Sequence, residues 1–389
     1  MNIKTFLFSL QVFLIVNLYT LMAQVPSSHF EKETVGQIEI GYGLQVGDVD
    51  GDGQADVLLA DKDQFVWYEN GTWEKHVMVE GLTEKDNVCL AARDIDGDSK
   101  VEVAVGAQWN PGETSDTLKS GAVYYLVSPS DPREMWRPIK LHHEPTTHRM
   151  QWIKTGQQKY QLLVLPLHGR DNQSGQGKGV AFMSYQMHSG QVNQWDTTTI
   201  DQAMHQTHNF AVSDKGANPE VWVAGKEGVK HLYFDNGKWL SRKLPTLRKP
   251  AGEVSVGKLA GKNFLATIEP MHGDRLMLYR GDSLEKKTVL FDQLKQGHAL
   301  ATADLLDLGK DQIVVGWREP NAQGKTGIKL FVPLDEQGES WMHYWIDENG
   351  IACEDLKVAD LDNDGDLDIV AAGRATHDLN IYWNRANEN

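Results

Sequence analysis

Two observations predict an all-β fold, a single seven-bladed β-propeller of four-stranded antiparallel blades. The first is an internal repeat in which two short apolar strands flank an acidic turn, as in LQVGDVDGDGQADVLLA (44–60). The second is a hairpin signal that follows within the repeats, such as Asn70-Gly71. Repeats of this length with four strands each are typical of propeller blades. The anchor residues of the copies are Asp48, Asp94, Lys154, Asp214, Lys258, Asp304 and Asp360.

Each repeat accounts for four strands in order. Strands A and B flank the turn, strand C is a run rich in aromatic residues such as FVWYEN (65–70), and strand D follows the second hairpin. The seventh repeat ends before a strand D. The spare segment Val35–Ile40 is therefore predicted to complete that blade and to close the ring. A pair of β-sandwiches and an open solenoid are the alternative architectures.

The N-terminus has the pattern of a secretory signal peptide over residues 1–23. Lys4 precedes an apolar run that ends at Ala23, a small residue at the expected cleavage site. A membrane anchor is the alternative, but polar residues such as Asn17 interrupt the run. We expect the mature chain, 24–389, to be one domain, a monomer without membrane contact, exported to the periplasm or secreted.

Composition excludes several classes of function. The formal net charge of −16 argues against nucleic acid as a partner, because such partners need basic surfaces. Only 2 cysteines are present, which excludes a disulfide scaffold, and Cys89 and Cys353 are predicted to be free thiols.

Three of the turns carry four acidic residues in the same spacing, at the first, third, fifth and ninth positions. Ca²⁺ prefers oxygen ligands, and alternate carboxylates on a tight turn can converge on one ion. Structural Ca²⁺ is therefore expected, and no organic cofactor; a hairpin that needs no metal is the alternative. The expected ligands are Asp48, Asp50, Asp52, Asp56, Asp94, Asp96, Asp98, Glu102, Asp360, Asp362, Asp364 and Asp368.

Histidine and arginine residues recur at two equivalent positions of the blades, where strand A begins and where strand B ends. These positions share one face of the ring because strands A and B are antiparallel. A functional site is predicted on this face, opposite the acidic turns. Catalytic histidines are preferred there over a zinc site, since no set of carboxylates accompanies them. The residues are His148, His168, His208, His272, His298, Arg318 and Arg374.

This combination of side chains favours one kind of chemistry. Cations bind a carboxylate, and histidine transfers protons near neutral pH. Elimination from a 4-linked uronic acid uses both, because neutralising the carboxylate acidifies the neighbouring C–H bond. Glycoside hydrolysis usually needs a pair of acidic residues instead, and none is evident on this face.

The acidic turns and their strands resemble FG-GAP/VCBS repeats. Four segments on the histidine face further resemble propeller polysaccharide lyases, over essentially the whole mature chain. The similar families are the L-rhamnose-α-1,4-D-glucuronate lyases, the α-L-rhamnosidases that cleave the same linkage and, more distantly, the ulvan lyases. The segments are THRMQW (147–152), LHGR (167–170), EPMHG (269–273) and VGWREPN (315–321).

The resemblance implies roles for individual residues. In ulvan lyases a catalytic histidine pair is spaced like His148 and His168, but the Tyr and Arg that follow there are replaced here by His208 and Lys226. In the rhamnosidases a single catalytic histidine lies on the opposite face. Gln45 is our placement of that position, and glutamine does not transfer protons as histidine does.

These observations together predict an exported, exo-acting lyase that separates terminal rhamnose from glucuronic acid in arabinogalactan-type glycans. The partner expected is a uronic-acid-containing plant or algal glycan. The alternatives are an α-L-rhamnosidase, an ulvan-type lyase and a non-catalytic glycan-binding propeller. The predicted catalytic residues, with acid and base unassigned, are His148, His168, His208 and His272. The predicted substrate-binding residues are Arg318, Arg374, Lys226, Arg170, Asn209 and His298.

Overall fold

Seven four-stranded antiparallel sheets make up the computed structural model, which describes residues 29–386 apart from 173, 189, 215, 217 and 243. The predicted seven-bladed β-propeller is confirmed. The predicted signal segment, 1–23, lies outside the described residues. Within the described part of the chain, no helix has the length and apolar character that crossing a membrane requires.

The strands follow one another from the channel outward in each blade. Blade 1 contains β2 (Gly43–Gly47), β3 (Asp56–Ala60), β4 (Gln64–Glu69) and β5 (Glu74–Glu80). Blade 2 contains β6 (Cys89–Arg93), β7 (Glu102–Ala107), β8 (Ala122–Val127) and β9 (Arg137–Lys140). Blade 3 contains β10 (Thr147–Gly156), β11 (Lys159–Pro166), β12 (Phe182–His188) and β13 (Gln191–Asp201).

The second half of the ring repeats this order. Blade 4 contains β14 (Thr207–Ser213), β15 (Glu220–Gly225), β16 (Gly228–Asp235) and β17 (Lys238–Arg242). Blade 5 contains β18 (Glu253–Leu259), β19 (Lys262–Glu269), β20 (Arg275–Arg280) and β21 (Lys286–Phe291). Blade 6 contains β22 (Gly297–Ala303), β23 (Gln312–Trp317), β24 (Gly327–Pro333) and β25 (Trp341–Glu348). Blade 7 contains β26 (Cys353–Ala359), β27 (Asp368–Gly373), β28 (Asp378–Asn384) and, from the N-terminus, β1 (Phe30–Gln37).

The N-terminal strand closes the ring as the sequence predicts, but at different bounds. Strand β1 spans Phe30–Gln37 and pairs with β28, whereas the prediction was Val35–Ile40. The difference has a local cause at the carboxylate of Asp61. This carboxylate accepts the backbone N–H groups of Glu39 and Ile40 at 2.9 and 2.7 Å, which turns the chain out of blade 7 and into blade 1.

The hydrophobic core consists of seven clusters, one between each pair of neighbouring blades. Strand B is buried on both sides in every blade, as in β3, where all residues are inaccessible to solvent. Burial of apolar surface between blades is therefore the main stabilising contribution. The cluster between blades 7 and 1 joins Val370 to Leu44 and Val57, so apolar packing as well as β1 closes the circle.

The two cysteines are buried and unpaired, which confirms the prediction of free thiols. Burial raises the pKa of the Cys89 thiol to about 12 and raises that of Cys353. Both thiols therefore stay protonated at neutral pH and are unreactive.

A buried carboxylate fastens the N-terminal strand to the rest of the ring. Asp347 Oδ2 accepts hydrogen bonds from Lys32 Nζ at 2.9 Å and from Tyr382 Oη at 2.7 Å. The second oxygen accepts the backbone N–H of Gly350 at 2.6 Å. The side chain is only 6% exposed, so these bonds are protected from water.

We expect Asp347→Asn to destabilise the protein by about 1.5–3 kcal/mol, the range for hydrogen bonds to a buried charged group. The measurement is the free energy of unfolding from denaturant titration. Asp116→Asn is the matched control, because Asp116 pairs with Lys119 on the surface, and it should leave the unfolding midpoint unchanged. Equal midpoints for Asp347→Asn and the wild type would contradict a fastening role.

Candidate active site

A cavity of about 850 Å³ opens at the end of the central channel where strands A begin and strands B end. This is the face opposite the acidic turns, as the repeat pattern predicts. Strands β10, β14 and β22 place His148, His208 and His298 at the same position of their blades. The turn after β19 adds His272 to the lining of the cavity.

Three of these histidines make the same contact with the next blade of the ring. Nδ1 of His148 lies 2.7 Å from the carbonyl oxygen of His208, and Nδ1 of His208 lies 3.1 Å from that of Gly252. Nδ1 of His298 lies 2.6 Å from the carbonyl oxygen of Glu354. A carbonyl oxygen only accepts, so Nδ1 carries the proton and donates it. In the neutral form, Nε2 of each of these rings then has a free lone pair.

His208 and His272 contact each other directly. Their Nε2 atoms are 2.6 Å apart, and the ring planes are nearly perpendicular. Because the His208 Nε2 atom is an acceptor, the hydrogen bond between neutral rings is donated by His272 Nε2. The buried Glu253 carboxylate lies behind His208, with Oε1 at 2.9 Å from Nδ1.

All four imidazoles are neutral at physiological pH. Burial, followed by the positive charge of Arg149, lowers the pKa of His208 to about 3. Burial and the neighbouring His208 lower the pKa of His272 to about 3. Burial also lowers the pKa values of His148 and His298 well below the usual value. The rings therefore accept protons or bind electrophiles and do not act as acids in the free protein.

An arginine pair meets at a buried glutamate in the cavity wall. Glu354 Oε2 accepts from Arg318 Nη1 at 3.0 Å, and Oε1 accepts from Arg374 Nη1 at 3.2 Å. Arg318 also donates to the side chain of Gln296 at 2.8 Å. The Arg374 side chain is 40% exposed and retains N–H donors toward the cavity. Arg374 is thus the guanidinium best placed to bind an anionic group.

Several residues that line the cavity were not selected as catalytic or substrate-binding from the sequence, and three of them contact or adjoin its histidines and arginines. The ring of Trp109 stacks on His148 at a centroid distance of 4.9 Å. The guanidinium of Arg374 lies 5.1 Å from the centroid of the Tyr42 ring, and burial raises the pKa of Tyr42, which keeps its hydroxyl protonated. Arg149 lies at the junction with the deeper channel. Tyr42 occupies the same blade position as His148 and Arg149 adjoins it, which is the signal that the sequence offered.

Three of the predicted site residues lie apart from the lining of this cavity. His168 forms a backbone bridge with Gln206, and burial lowers its pKa. Lys226 donates to the backbone oxygen of Ser174 at 2.9 Å. Arg170 makes a bidentate ion pair with Glu144, and both N–O distances are 2.9 Å.

Two other residues line the deeper part of the channel. Asn209 donates to Glu253 Oε2 at 2.6 Å, and its side-chain oxygen accepts the backbone N–H of Phe210. Gln45 lies in the same part of the channel and donates to the carbonyl oxygen of Leu90 at 3.4 Å. Gln45, our placement of the rhamnosidase histidine, thus lies outside the histidine-lined cavity.

The acidic turns bring three of their four predicted ligands together. One oxygen from each of Asp48, Asp50 and Asp56 lies within 4.8 Å of the others, and the same holds in blades 2 and 7. The remaining carboxylate instead stabilises the turn, as when Asp52 accepts the backbone N–H of Gln54 at 2.8 Å. Gly51 and Gly53 adopt positive φ angles of 86° and 87°, which suits the tight turn. The oxygen-only donor set fits Ca²⁺.

The carboxyl groups of these turns repel one another in the absence of a cation. Burial, with a contribution from Asp50 and Asp52, raises the pKa of Asp56 to about 7. Burial raises the pKa of Glu102 to about 7 and that of Asp368 to about 6.

The corresponding turn of blade 6 lacks the full set of carboxylates and is held together by an amide side chain. Gln312 stands where the other turns have the ninth-position acid, and its amide oxygen accepts the backbone N–H of Leu306 at 3.0 Å. Its NH₂ group donates to Asp304 at 3.3 Å. An amide donor therefore faces the first carboxylate, a position that a cation would take in the other turns.

Two family models match parts of the chain. The model for the β-propeller domain of aldos-2-ulose dehydratase matches residues 120–282, and a model for FG-GAP-like repeats matches residues 33–105. The first match contains His148, His208 and His272 of the cavity. The FG-GAP repeat predicted from the sequence is thus supported, and the propeller is similar to that of a sugar dehydratase. No curated protein matches the chain significantly.

Solved structures share the architecture at low sequence identity. BBS1N in its complex with ARL6DN is 16% identical, with a TM-score of 0.57, covering 93% of this chain and 99% of that chain. A chain of the Mitotic Checkpoint Complex is 10% identical, with a TM-score of 0.59 and 92% coverage of both chains. YCF48 bound to D1 peptide is 10% identical, with a TM-score of 0.53, covering 91% of this chain and 95% of that chain. These likenesses concern the fold alone.

Proposed function

We propose that this protein is a carbohydrate-active lyase that breaks a C–O bond by β-elimination at the histidine-lined cavity. The observation that carries the proposal is the joint presence there of neutral imidazoles and of guanidinium groups. The match to the propeller of aldos-2-ulose dehydratase supports the same class, because a dehydratase eliminates water from its substrate.

The substrate class is a glycan ending in rhamnose linked to C4 of glucuronic acid. The segments that contain His148, His272 and Arg318 resemble those of lyases for this linkage. A cavity of about 850 Å³ lies within the range of about 300–1,000 Å³ common for small-ligand sites, which suits the end of a chain. The signal-like segment 1–23 supports export from the cytoplasm, and plant or algal glycans are found outside the cell.

Arg374 is the residue proposed to bind the uronate carboxylate, with Arg318 beside it. Glu354 leaves most N–H groups of Arg374 unused, and a planar guanidinium matches a carboxylate in geometry. Neutralising this carboxylate makes the proton at C5 of the uronate more acidic.

His148 is the proposed base. Its Nδ1–H donates to the carbonyl oxygen of His208, so Nε2 is free to take the C5 proton. Burial, followed by the positive charge of Arg149, holds the pKa of His148 low in the free protein, and a bound carboxylate would raise it by offsetting that charge. The electrons of the C5–H bond form the C4–C5 double bond as the C4–O bond breaks. The hydroxyl of Tyr42, protonated at neutral pH, donates to Asp86 at 3.3 Å in the free protein and would turn from that partner to donate to the leaving oxygen.

A second candidate function, dehydration of a keto-sugar, is favoured by the family match over residues 120–282. The chemistry is related, since a carbonyl group acidifies the neighbouring C–H bond as a neutralised carboxylate does. The same base would serve both substrates, and the leaving group would be water.

Product analysis with three substrates tests the proposal. The protein is incubated with rhamnose-capped arabinogalactan, with ulvan and with an aldos-2-ulose. Rising ultraviolet absorbance of an unsaturated uronate supports the proposed lyase, or an ulvan lyase if only ulvan reacts. Loss of water from the keto-sugar alone supports the second candidate. Free rhamnose without the absorbance identifies a rhamnosidase, and binding without products a glycan-binding propeller; either result overturns the elimination mechanism.

We expect Arg374→Met to raise KM for the uronate substrate by about 10–100-fold, from the loss of a charge-assisted hydrogen bond. Steady-state kinetics measures this change. Arg170→Met is the matched control, because Arg170 is paired with Glu144 outside the cavity, and its KM should stay at the wild-type value. An unchanged KM for Arg374→Met would contradict its role as the carboxylate binder.

We also propose that the acidic turns of blades 1, 2 and 7 hold Ca²⁺. The carboxylate clusters supply only oxygen donors. Burial, with a smaller contribution from Asp50 and Asp52, raises the pKa of Asp56, so its charged form is disfavoured until a cation is bound. These turns lie at the other face of the ring, so the ions would support the fold and take no part in the reaction.

A further inference from the structure

A groove adjoins the histidine-lined cavity on the same face of the ring, between blades 5 and 6. It has a volume of about 440 Å³ and shares His272 with the cavity. Its walls are the turn after β19, the segment 292–296 that leads into β22, and the turn after β23 that contains Asn321. Because one side chain lines both spaces, a ligand bound in the cavity can extend into the groove.

Hydrogen bonds hold the walls of the groove together. The backbone N–H of Leu294 donates to the carbonyl oxygen of Asp274 at 3.0 Å, which ties the segment 292–296 to the turn of blade 5. Asn321 Nδ2 donates to the carbonyl oxygen of Gln293 at 2.8 Å, which ties the same segment to the turn of blade 6. The groove is therefore formed before a ligand binds, as most small-ligand sites are.

The groove contains polar side chains that have no partner in the described part of the chain. The carboxylate of Asp292 and the amides of Gln293 and Gln323 line it, and these three groups make no hydrogen bond or ion pair among the described residues. A carboxylate accepts hydrogen bonds from hydroxyl groups, and an amide both donates and accepts them. The several hydroxyl groups of a sugar match this set, whereas an apolar ligand does not.

The charge of the groove differs from that of the cavity. The cavity contains the partly exposed guanidinium of Arg374, which suits a carboxylate. In the groove, Asp274 pairs with Arg275 at 3.6 Å. The other charged residues of its lining, Asp292 and Lys295, offset each other. The groove has no excess of positive charge to attract an anion, so an uncharged sugar fits it better than a second uronate.

The proposed orientation of the uronate directs the rest of the glycan to this groove. Tyr42, the donor to the leaving oxygen at C4, lies where the chain enters blade 1, whereas the groove lies between blades 5 and 6 on the other side of the cavity. C1 and C4 are at opposite ends of a pyranose ring. A glucuronate with C4 toward Tyr42 therefore has C1, and the sugar attached there, directed toward His272 and the groove.

Gln296 connects the groove to the arginine pair. It lines the groove, and its side-chain oxygen accepts from Arg318 Nη2 at 2.8 Å. Its NH₂ group is then available to a sugar hydroxyl. A sugar bound in the groove would hold Gln296 and so keep Arg318 beside the uronate carboxylate.

We propose that the groove between blades 5 and 6 is a subsite for the neutral sugar attached to C1 of the glucuronate, a galactose in arabinogalactan-type glycans. Asp292, Gln293 and Gln323 bind its hydroxyl groups. The subsite selects glycans in which an uncharged hexose carries the uronate. The orientation of the substrate rests on the proposed function, whereas binding of the two linked sugars needs no reaction.

Binding is measured by titration calorimetry with methyl glucuronide and with glucuronosyl-galactose. Neither ligand carries a sugar at C4, so neither has a leaving group for the proposed elimination. The wild type should bind the disaccharide at least about 10-fold more tightly, the effect of one hydrogen bond to a charged group. Equal affinities, or no binding of the disaccharide, would overturn the proposal.

The double variant Asp292→Ala/Gln323→Ala should bring the ratio of the two affinities close to unity, because two of the groups that bind the galactose are lost. Asp282→Ala is the matched control, since Asp282 pairs with Lys262 at 2.9 Å at the face of the acidic turns, and it should keep the wild-type ratio. Thermal midpoints verify that each variant folds. A wild-type ratio in the double variant would contradict the assignment.

A sulfated ligand tests the preference for an uncharged sugar. Glucuronosyl-galactose with a sulfate on the galactose should bind more weakly than the unsulfated disaccharide, because Asp292 repels it. Asp292→Asn should narrow this difference, since it removes the negative charge and leaves Lys295 in place. Tighter binding of the sulfated ligand by the wild type would contradict the proposed selection.

Kinetic assays separate this inference from the proposed function. The two substrates are rhamnosyl-glucuronosyl-galactose and the methyl glycoside of rhamnosyl-glucuronate, which lacks the galactose. Elimination from both with equal kcat/KM overturns the subsite and leaves the function standing. Tighter binding of glucuronosyl-galactose without elimination from either substrate overturns the function and leaves the subsite standing.

Discussion

Replacing His148 with glutamine is expected to lower kcat by about 10²–10⁴-fold, the usual contribution of a general base. The ring supplies a free Nε2 lone pair in the cavity because its Nδ1–H is donated to the next blade. Glutamine has a similar length and can form hydrogen bonds, but it does not accept a proton at neutral pH. Single-turnover kinetics with rhamnose-capped glycan measures the chemical step, and KM should change little.

His168→Gln is the informative control for this experiment. Resemblance to the ulvan lyases implies a catalytic role for His168, whereas the residue lies outside the lining of the cavity and bridges to Gln206. We expect its kcat to stay within a few-fold of the wild type. An equal loss of kcat in both variants would mean that the substrate lies elsewhere on this face than proposed.

Removal of Ca²⁺ is expected to have the largest effect on stability. An ion present at 100 times its dissociation constant stabilises the folded state by about 2.7 kcal/mol, so three such sites contribute roughly 8 kcal/mol. Chelation at pH 8 should therefore lower the thermal midpoint by many degrees. Differential scanning calorimetry with and without chelator measures the difference.

The effect of chelation should also depend on pH. In the ion-free fold the pKa values of Asp56, Glu102 and Asp368 are raised to about 7, 7 and 6, above those of the unfolded chain. The ion-free protein thus binds more protons than its unfolded state and loses stability as the pH rises from about 5 to 8. The calcium-loaded protein escapes this loss, so the gap between the two midpoints widens over the same interval.

Asp304→Asn offers a matched control for calcium, since blade 6 carries Gln312 opposite this carboxylate. Its response to chelator should equal that of the wild type. A wild-type midpoint at pH 8 that does not respond to chelator would show that the three turns need no ion.

The fold was predictable because all blades share one pattern of apolar strands. Acidic turns and Asn-Gly hairpins mark only some blades, but the strand pairs recur at intervals of 44 to 60 residues, so a weak copy such as that around Lys154 is recognised from its neighbours. The ends of β1 were harder to predict from the sequence. They depend on Asp61, a residue distant in sequence that accepts the N–H groups of Glu39 and Ile40.

The site was predictable in part for the same reason. Equivalent positions of a repeat lie on the same face, which correctly grouped His148, His208 and His298. The positions of residues at the ends of strand B were harder to predict, because the loop that follows each strand differs from blade to blade. His168 therefore lies outside the cavity lining, whereas His272 is part of it. The pairing of Arg318 and Arg374 through Glu354 depends on side-chain geometry that spacing does not contain.

The contact between each cavity histidine and the next blade has a mechanical consequence. The proton on Nδ1 of His148, His208 or His298 is held by a carbonyl group of a different blade. A small rotation of one blade against another would break that hydrogen bond and remove the contact that favours the Nδ1–H tautomer. The chemical shifts of these ring nitrogens therefore report on the packing between blades. Displacement of β1, on the other side of the ring, should change those shifts in an NMR spectrum.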